Sequence, residues 1–490
     1  MFRSLRYTLF PVLNITAPVL AVFSLVLLIP CLVSLFFEDG ALEGFVHASA
    51  ACMTTGALLW AITRGDKREL LPRDGFLLAT LIWVLIPVFA SIPIFHGIEG
   101  ISVTTAFFEA MSGTTTTCAT ALTGLDALPE SINFWRCFLS WLGGMGILVL
   151  AVAILPLLGV GGAQVFKAET SGPMKEARLT PRIADTAKGL WAIYVLMSVA
   201  CALSYRWAGM DTFDSILHTF TTVSLGGFSS HDASFAYWNN PMIETVTIAF
   251  ILLCGTSFTL HFVAWKSRSP LAYLKNPECL AWVGICVGTI AVVAGILYQS
   301  GFYTDPWEAL RKAAFNVAST ISTTGFATDD FNLWPAPAVW LMIIVTCFAT
   351  CGGSTGGGVK MLRAIILIKQ IACQFKQTQH PKIVAPVMLQ GSAIDTQVVV
   401  STLSFLMLWV TLLIFSAWVF MATGLDLKTA LGTAVACITN LGPGLGDTGP
   451  ASNFSMLSDA QLWLCTFLML LGRLELVTVF MLFTRSFWKT

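Results

Sequence analysis

Charge is scarce in this chain: Asp, Glu, Lys and Arg make up 11% of its 490 residues, against roughly 25% in an ordinary soluble domain. That deficit excludes a water-soluble globule, because too few charges exist to coat its surface. Histidine is scarce as well, with six residues scattered at His47, His96, His218, His231, His261 and His380. Such scatter offers no metal cluster and no Ser–His pair, which counts against an intramembrane enzyme. The net charge is zero, so the basic field expected of a nucleic-acid binder is missing too. Cysteine is not scarce, but the 13 cysteines stand singly, mostly inside apolar runs, where a free thiol behaves as a small hydrophobe. Cys347 and Cys351 are four apart without a histidine nearby, which is not a zinc pattern.

Hydrophobic residues are 56% of the chain and the mean hydropathy is +0.78. Apolar runs recur near the ~20 residues that cross a bilayer as a helix. The expected spans are 9–37, 44–62, 76–95, 134–158, 189–208, 241–265, 279–300, 336–350, 360–375, 397–422 and 461–485. The first follows early arginines and lacks a small-residue cleavage site, so it reads as a retained helix. Basic residues concentrate in linkers at 64–74, 167–188, 265–278 and 360–382. The positive-inside rule places those linkers and both termini in the cytoplasm.

Between the outgoing and returning spans lie four segments too polar to cross a membrane: 104–126, 213–232, 307–330 and 427–447. Each starts as a short, modestly apolar helix, turns into Thr, Ser, Asn and Gly, and closes near an Asp. Their turning points, Cys118, Gly226, Gly325 and Gly442, recur at intervals of about 100 residues, as four copies of one unit would. The expected fold is an all-α polytopic membrane protein. A helix pair (1–70) precedes four helix–loop–helix repeats at 71–166, 167–277, 278–390 and 391–490. Non-helical backbone at membrane depth is tolerated only where protein buries it or where it lines a watery path. Four re-entrant loops about one axis therefore predict a pore.

A potassium filter replaces the ion's hydration shell with backbone carbonyls. Turning successive carbonyls inward requires unusual dihedrals, for which glycine is suited, and a short helix aims its negative C-terminal end at the ion. The candidate filter tripeptides are Thr116-Thr117-Cys118, Ser224-Leu225-Gly226, Thr323-Thr324-Gly325 and Asn440-Leu441-Gly442. Any one alone would read better as a polar turn; four at repeat spacing favour a filter.

Longer stretches around these loops, FFEAMSGTTTTCAT, HTFTTVSLGGFSSHD, STISTTGFATDD, CGGSTGGGVKMLR, TNLGPGLG and LGRLELVTVFMLF, resemble the Trk/Ktr/HKT superfamily of cation transporters. Within it the chain is similar to the bacterial TrkH/TrkG branch, which also has the extra helix pair. The resemblance covers essentially the whole chain. It implies potassium uptake across the cytoplasmic membrane of a bacterium, and a homodimer with one pore per protomer. It further implies a cytoplasmic ring of TrkA-type regulatory subunits. Nucleotide is expected on that partner only and no cofactor on this chain: GVGGAQ at 159–164 lacks the strand–helix context of a dinucleotide fingerprint.

Gly352, Gly353, Ser354, Thr355, Gly356, Gly357 and Gly358 interrupt a span with five glycines, each costing up to ~1 kcal/mol in a helix. A packed kink is one reading; the resemblance implies a gating loop under the filter. Arg473 resembles the family's pore-facing basic residue, expected to repel cations and bond loop carbonyls when closed, although an arginine snorkelling to the interface is the plainer alternative. Glu109 is expected to brace the first filter or attract cations. Asp126, Asp232, Asp329, Asp330 and Asp447 follow the filters and either concentrate cations or are simply solvated. The family normally has glycine where Cys118 stands. That departure leaves open a Na+-permeable, mixed or ion-coupled transporter of the same fold.

Overall fold

The computed structural model describes residues 2–65, 68, 71–153, 179–348, 350–389 and 391–488. The glycine run at 159–164 and the first part of the 167–188 linker lie outside the described residues. Helices α1 (Phe2–Val26), α2 (Leu28–Phe37) and α3 (Leu42–Thr63) come first. A unit of long helix, short buried helix and second helix then recurs four times. The first is α4 (Pro72–Gly97), α5 (Val103–Thr114) and α6 (Glu130–Ala153). In the second, α7 (Leu179–Trp207) and α8 (Thr212–Val223) precede α9 (Pro241–Cys254), α10 (Phe258–Ser267) and α11 (Leu271–Lys275). The third comprises α12 (Pro277–Gln299), α13 (Pro306–Ile321), α14 (Ala336–Thr346) and α15 (Met361–Gln379). The fourth is α16 (Thr396–Ala422), α17 (Leu427–Thr439), α18 (Asp459–Arg473) and α19 (Val477–Leu482). Among the described residues the one β element is a hairpin pairing Met388–Leu389 with Ser392–Ala393.

Among the described residues six helical stretches are long and apolar enough to cross a bilayer, including Thr8–Phe37, Pro277–Gln299 and Thr396–Ala422. Their outward faces are greasy: Phe36 is 81% exposed and Met407 69%, as suits side chains that meet lipid. The four short helices share a start signal. Ser102, Asp211, Asp305 and Asp426 each cap the first turn through a side-chain oxygen, satisfying N–H groups that have no helical partner. From their middles to their C-termini these helices are almost wholly buried.

The second helix of a repeat is seldom continuous. The expected span 241–265 is bent by 88° between α9 and α10, and the expected span 461–485 breaks after Arg473, where Glu475 takes φ 56°. Both breaks correct the simple reading of hydropathy. At the first, the freed backbone is stitched to the glycine loop: Phe258 N donates to Gly353 O (3.0 Å) and Cys351 N to Gly255 O (3.1 Å). Such repayment is what allows a helix to break at membrane depth.

Candidate functional site

After each short helix the backbone makes the same excursion. Positive φ occurs at Thr116 and Cys118, Leu225 and Gly227, Thr323 and Gly325, and Asn440 and Gly442. The amide hydrogen bonds repeat with it: Thr117 N, Gly226 N, Thr324 N and Leu441 N each donate to the carbonyl five residues earlier, at 2.8–2.9 Å. This fixes the register. In repeat 2 the segment matching Thr116-Thr117-Cys118 is Leu225-Gly226-Gly227, one residue later than the expected Ser224-Leu225-Gly226. The sequence reading takes Gly226 as the turning glycine; the alternation of positive φ falls instead on Gly227. In the other three repeats the same alternation falls on Thr116-Thr117-Cys118, Thr323-Thr324-Gly325 and Asn440-Leu441-Gly442.

The four segments meet in a ring. A Cβ placed on Gly227 would fall 1.9 Å from Thr324 O, one on Gly325 2.1 Å from Leu441 O, and one on Gly442 2.9 Å from Thr117 O. Repeat 2 thus abuts repeat 3, repeat 3 abuts 4, and 4 abuts 1. The outer loops close the same circle. Asp232 N donates to Asp126 Oδ2 (3.1 Å) and Asn332 Nδ2 to Gly446 O (2.9 Å). Ala236 N donates to Ala327 O (3.2 Å) and Phe454 N to Thr120 O (2.8 Å). A cavity of about 80 Å³ opens at the centre, lined in part by Cys118, Gly227, Gly325 and Gly442.

The hydroxyls of the threonine run mostly hold the loop. Thr114 and Thr115 donate to Ala110 O and Met111 O (2.7 Å each), and Thr117 Oγ1 lies 2.9 Å from Thr115 Oγ1 and accepts from Asn440 Nδ2 at 2.8 Å. Repeat 3 copies the design, with Ser322 Oγ and Thr324 Oγ1 2.6 Å apart.

One position on every short helix braces the backbone that leaves the ring. Glu109 accepts from Ala121 N (2.6 Å) and Thr120 Oγ1 (2.8 Å). His218 Nε2 lies 2.9 Å from Ser229 Oγ, Asn316 accepts from Thr328 N (3.2 Å), and Thr433 Oγ1 lies 3.0 Å from Thr448 Oγ1. Only Glu109 stood out in the sequence. Its charge is met by the fully buried Arg136, whose Nε sits 3.1 Å from Oε2 and whose guanidinium lies over Phe228 at 4.3 Å. Sequence reading missed Arg136, which looks there like one charge in an apolar helix.

Beneath the ring runs the glycine loop. Gly357 N donates to Thr323 Oγ1 (2.8 Å) and Thr355 Oγ1 to Val223 O (3.1 Å), while a Cβ on Gly357 would lie 1.9 Å from Thr439 O. The loop therefore crosses the C-terminal ends of α8, α13 and α17. Arg473, buried, donates from Nη1 to Thr355 O (2.9 Å) and from Nη2 to Gly143 O (3.4 Å). Glu475 does not join it, pairing instead with Arg363 at 2.6 Å. Gly352 and Gly353 end the loop on the other side, where the Glu278 carboxylate accepts from both Gly352 N (2.6 Å) and Leu362 N (3.2 Å). Ser354 Oγ, Gly356 and Gly358 complete the turn; Lys360 Nζ donates to Gly356 O and Ser354 Oγ to Cys351 O.

This arrangement coincides with that of known proteins. The family model described as TrkH, cation transport protein, matches residues 41–489. The chain belongs to the TrkH family. It is similar to the Trk system potassium uptake protein TrkH of Halomonas elongata, 42% identical over 98% of this chain and 99% of that one. The protein of the same name from Escherichia coli K12 is 41% identical over 95% and 96% of the two chains, and TrkG of that organism 36% over 96% of each. The crystal structure of the potassium transporter TrkH from Vibrio parahaemolyticus superposes with a TM-score of 0.90, at 40% identity and covering 100% of both chains. As a TrkH-family member the chain is a membrane transporter and not an enzyme.

In this TrkH-family chain the expected external carboxylates serve different ends. Asp126 and Asp232 tie repeat 1 to repeat 2, and Asp126 also meets His231 Nδ1 at 2.5 Å. Asp329 accepts from the Tyr303 hydroxyl and from Trp334 Nε1, and Asp330 caps a short turn through Asn332 N.

Proposed function

We propose that the chain carries K+ into a bacterial cell across the cytoplasmic membrane, through a filter lined by the carbonyls of 116–118, 225–227, 323–325 and 440–442. The observation that carries this reading is the fourfold alternation of positive φ at the ends of four inward-aimed helices, closed into one ring. Alternating left-handed residues turn consecutive carbonyls to one side, which suits a dehydrated cation. The loop 352–358 with Arg473 is the cytoplasmic gate: its glycines permit movement, and a buried guanidinium under the ring repels cations. Both termini lie in the cytoplasm. By the family likeness the chain works as a homodimer under a TrkA-type ring, and nucleotide acts on that ring.

The test is tracer uptake by the purified chain in proteoliposomes without a regulatory subunit. The expected result is Rb+ entering down its gradient, suppressed by external K+ and unaffected by equal Na+. Na+ tracer entering as fast as Rb+ would overturn the potassium reading in favour of a mixed-cation pathway.

A further inference from the structure

Cys118 occupies the place that glycine holds in the other three repeats, with φ 55° against 97°, 88° and 98°. At those glycines any Cβ would run into the neighbouring repeat's carbonyl, so a side chain at 118 needs room that the others lack. Cys118 Sγ sits 3.4 Å from Ser140 Oγ on α6, and Ser140 Oγ lies 2.7 Å from Ser224 Oγ. The facing residue of repeat 2 is Gly226. A Cβ there would fall 2.8 Å from Cys118 Sγ and 2.1 Å from Ser140 Oγ. The equivalent positions in the other repeats are Thr117, Thr324 and Leu441, all with side chains. The extra side chain in repeat 1 is matched by a missing one in repeat 2.

We propose that Gly226 and Ser140 are positioning residues that form a slot between repeats 1 and 2, and that this slot holds the Cys118 thiol out of the ion path. Cys118 also borders the central cavity beside Gly227, Gly325 and Gly442, so a thiol expelled from the slot moves toward the entrance of the filter. Discrimination between K+ and Na+ then depends in part on Ser140, which lies on α6 outside the four filter segments. The proposal rests on the filter reading given above.

The experiment compares Rb+ with Na+ uptake in proteoliposomes for Gly226→Ala in two backgrounds, the native one and Cys118→Gly/Ser140→Ala. With the thiol present, Gly226→Ala lowers the Rb+/Na+ ratio about tenfold, the scale of one overpacked side chain. In the second background the same substitution costs less than about twofold, because the atoms it would strike are gone. If Gly226→Ala does not reach the membrane, Ser140→Val fills the slot from the opposite wall, and Cys118→Gly rescues it. An equal loss in both backgrounds would overturn the slot. Gly325→Ala separates this from failure of the filter itself: should it leave the ratio intact, the filter assignment is what falls.

Discussion

The four bracing residues illustrate how one geometric task accepts different chemistry. His218, Asn316 and Thr433 fulfil it as neutral groups, whereas Glu109 brings a charge and so requires Arg136, since an unpaired buried charge is expensive. His231, outside the membrane core, sits between two such charges, 2.5 Å from Asp126 and 3.2 Å from Asp214, with Tyr237 stacked on it at 3.6 Å and His218 6.4 Å away. Burial disfavours its charged form, but the hydrogen bonds to Asp214 and Asp126 outweigh this and raise it above its ordinary 6.5. A raised folded value means that its contribution is whole below 6.5 and is lost as pH climbs through the raised value. Asp126 is held below its ordinary 3.8, so its own contribution is lost only in strong acid. Thermal melting in detergent should therefore decline from pH 6 to 9 by an amount worth about 1 kcal/mol or less, and His231→Gln should flatten that decline. A slope identical in the variant would show that another group sets it. Glu109 was legible as a brace, but His218, Asn316 and Thr433 were not, because their partners lie 11–15 residues away across an irregular turn, a separation that no periodicity encodes.

At the scale of elements, the glycine loop could be read from composition, because five glycines in seven residues cannot be helix. The breaks at 255–257 and 474–476 could not. One holds a single glycine and the other none, so both depend on partners supplied by the fold: Gly353 and Cys351 for the first, Arg363 for Glu475 in the second. Glu278 belongs with them, as one carboxylate oxygen binds the loop at Gly352 and its exit at Leu362. A typical hydrogen bond is worth about 0.5–1.5 kcal/mol net, so removing both shifts the loop toward release by roughly 5- to 100-fold. Glu278→Ala should raise basal Rb+ flux on that scale, with Glu278→Gln between it and the native protein, while the Rb+/Na+ ratio stays put because the filter is untouched. Arg473→Ala should raise the flux as well, through loss of both the guanidinium charge and its bond to Thr355 O. Native-level flux in Glu278→Ala would remove its role as a clasp.

The whole molecule assembles its ring from segments far apart in sequence: Asn440 reaches Thr117 Oγ1 across 323 positions. The all-α membrane fold follows from hydropathy and composition, because lipid and buried backbone constrain it strongly, but the eleven expected spans do not: among the described residues six helices are long and apolar enough to cross, or seven if the bent pair counts as one span. The register of repeat 2 was misread by one residue, at Gly226, because the adjacent Gly227 carries the positive φ and residue type alone does not tell the two glycines apart. Closure of the ring has a thermodynamic consequence. An unfolded chain presents no convergent carbonyls, so a cation held in the ring binds the native state alone and stabilises it by RT ln(1 + [L]/Kd), about 2.7 kcal/mol at a hundredfold excess over Kd. Replacing choline by K+ at constant ionic strength should raise the melting temperature by a few degrees, and Na+ should do less. Gly325→Ala, which would push a side chain against Leu441 O, should erase the difference between the ions. Equal melting in K+, Na+ and choline would mean that the ring holds no dehydrated ion at rest. Ion discrimination would then have to arise during passage and not from a resident site.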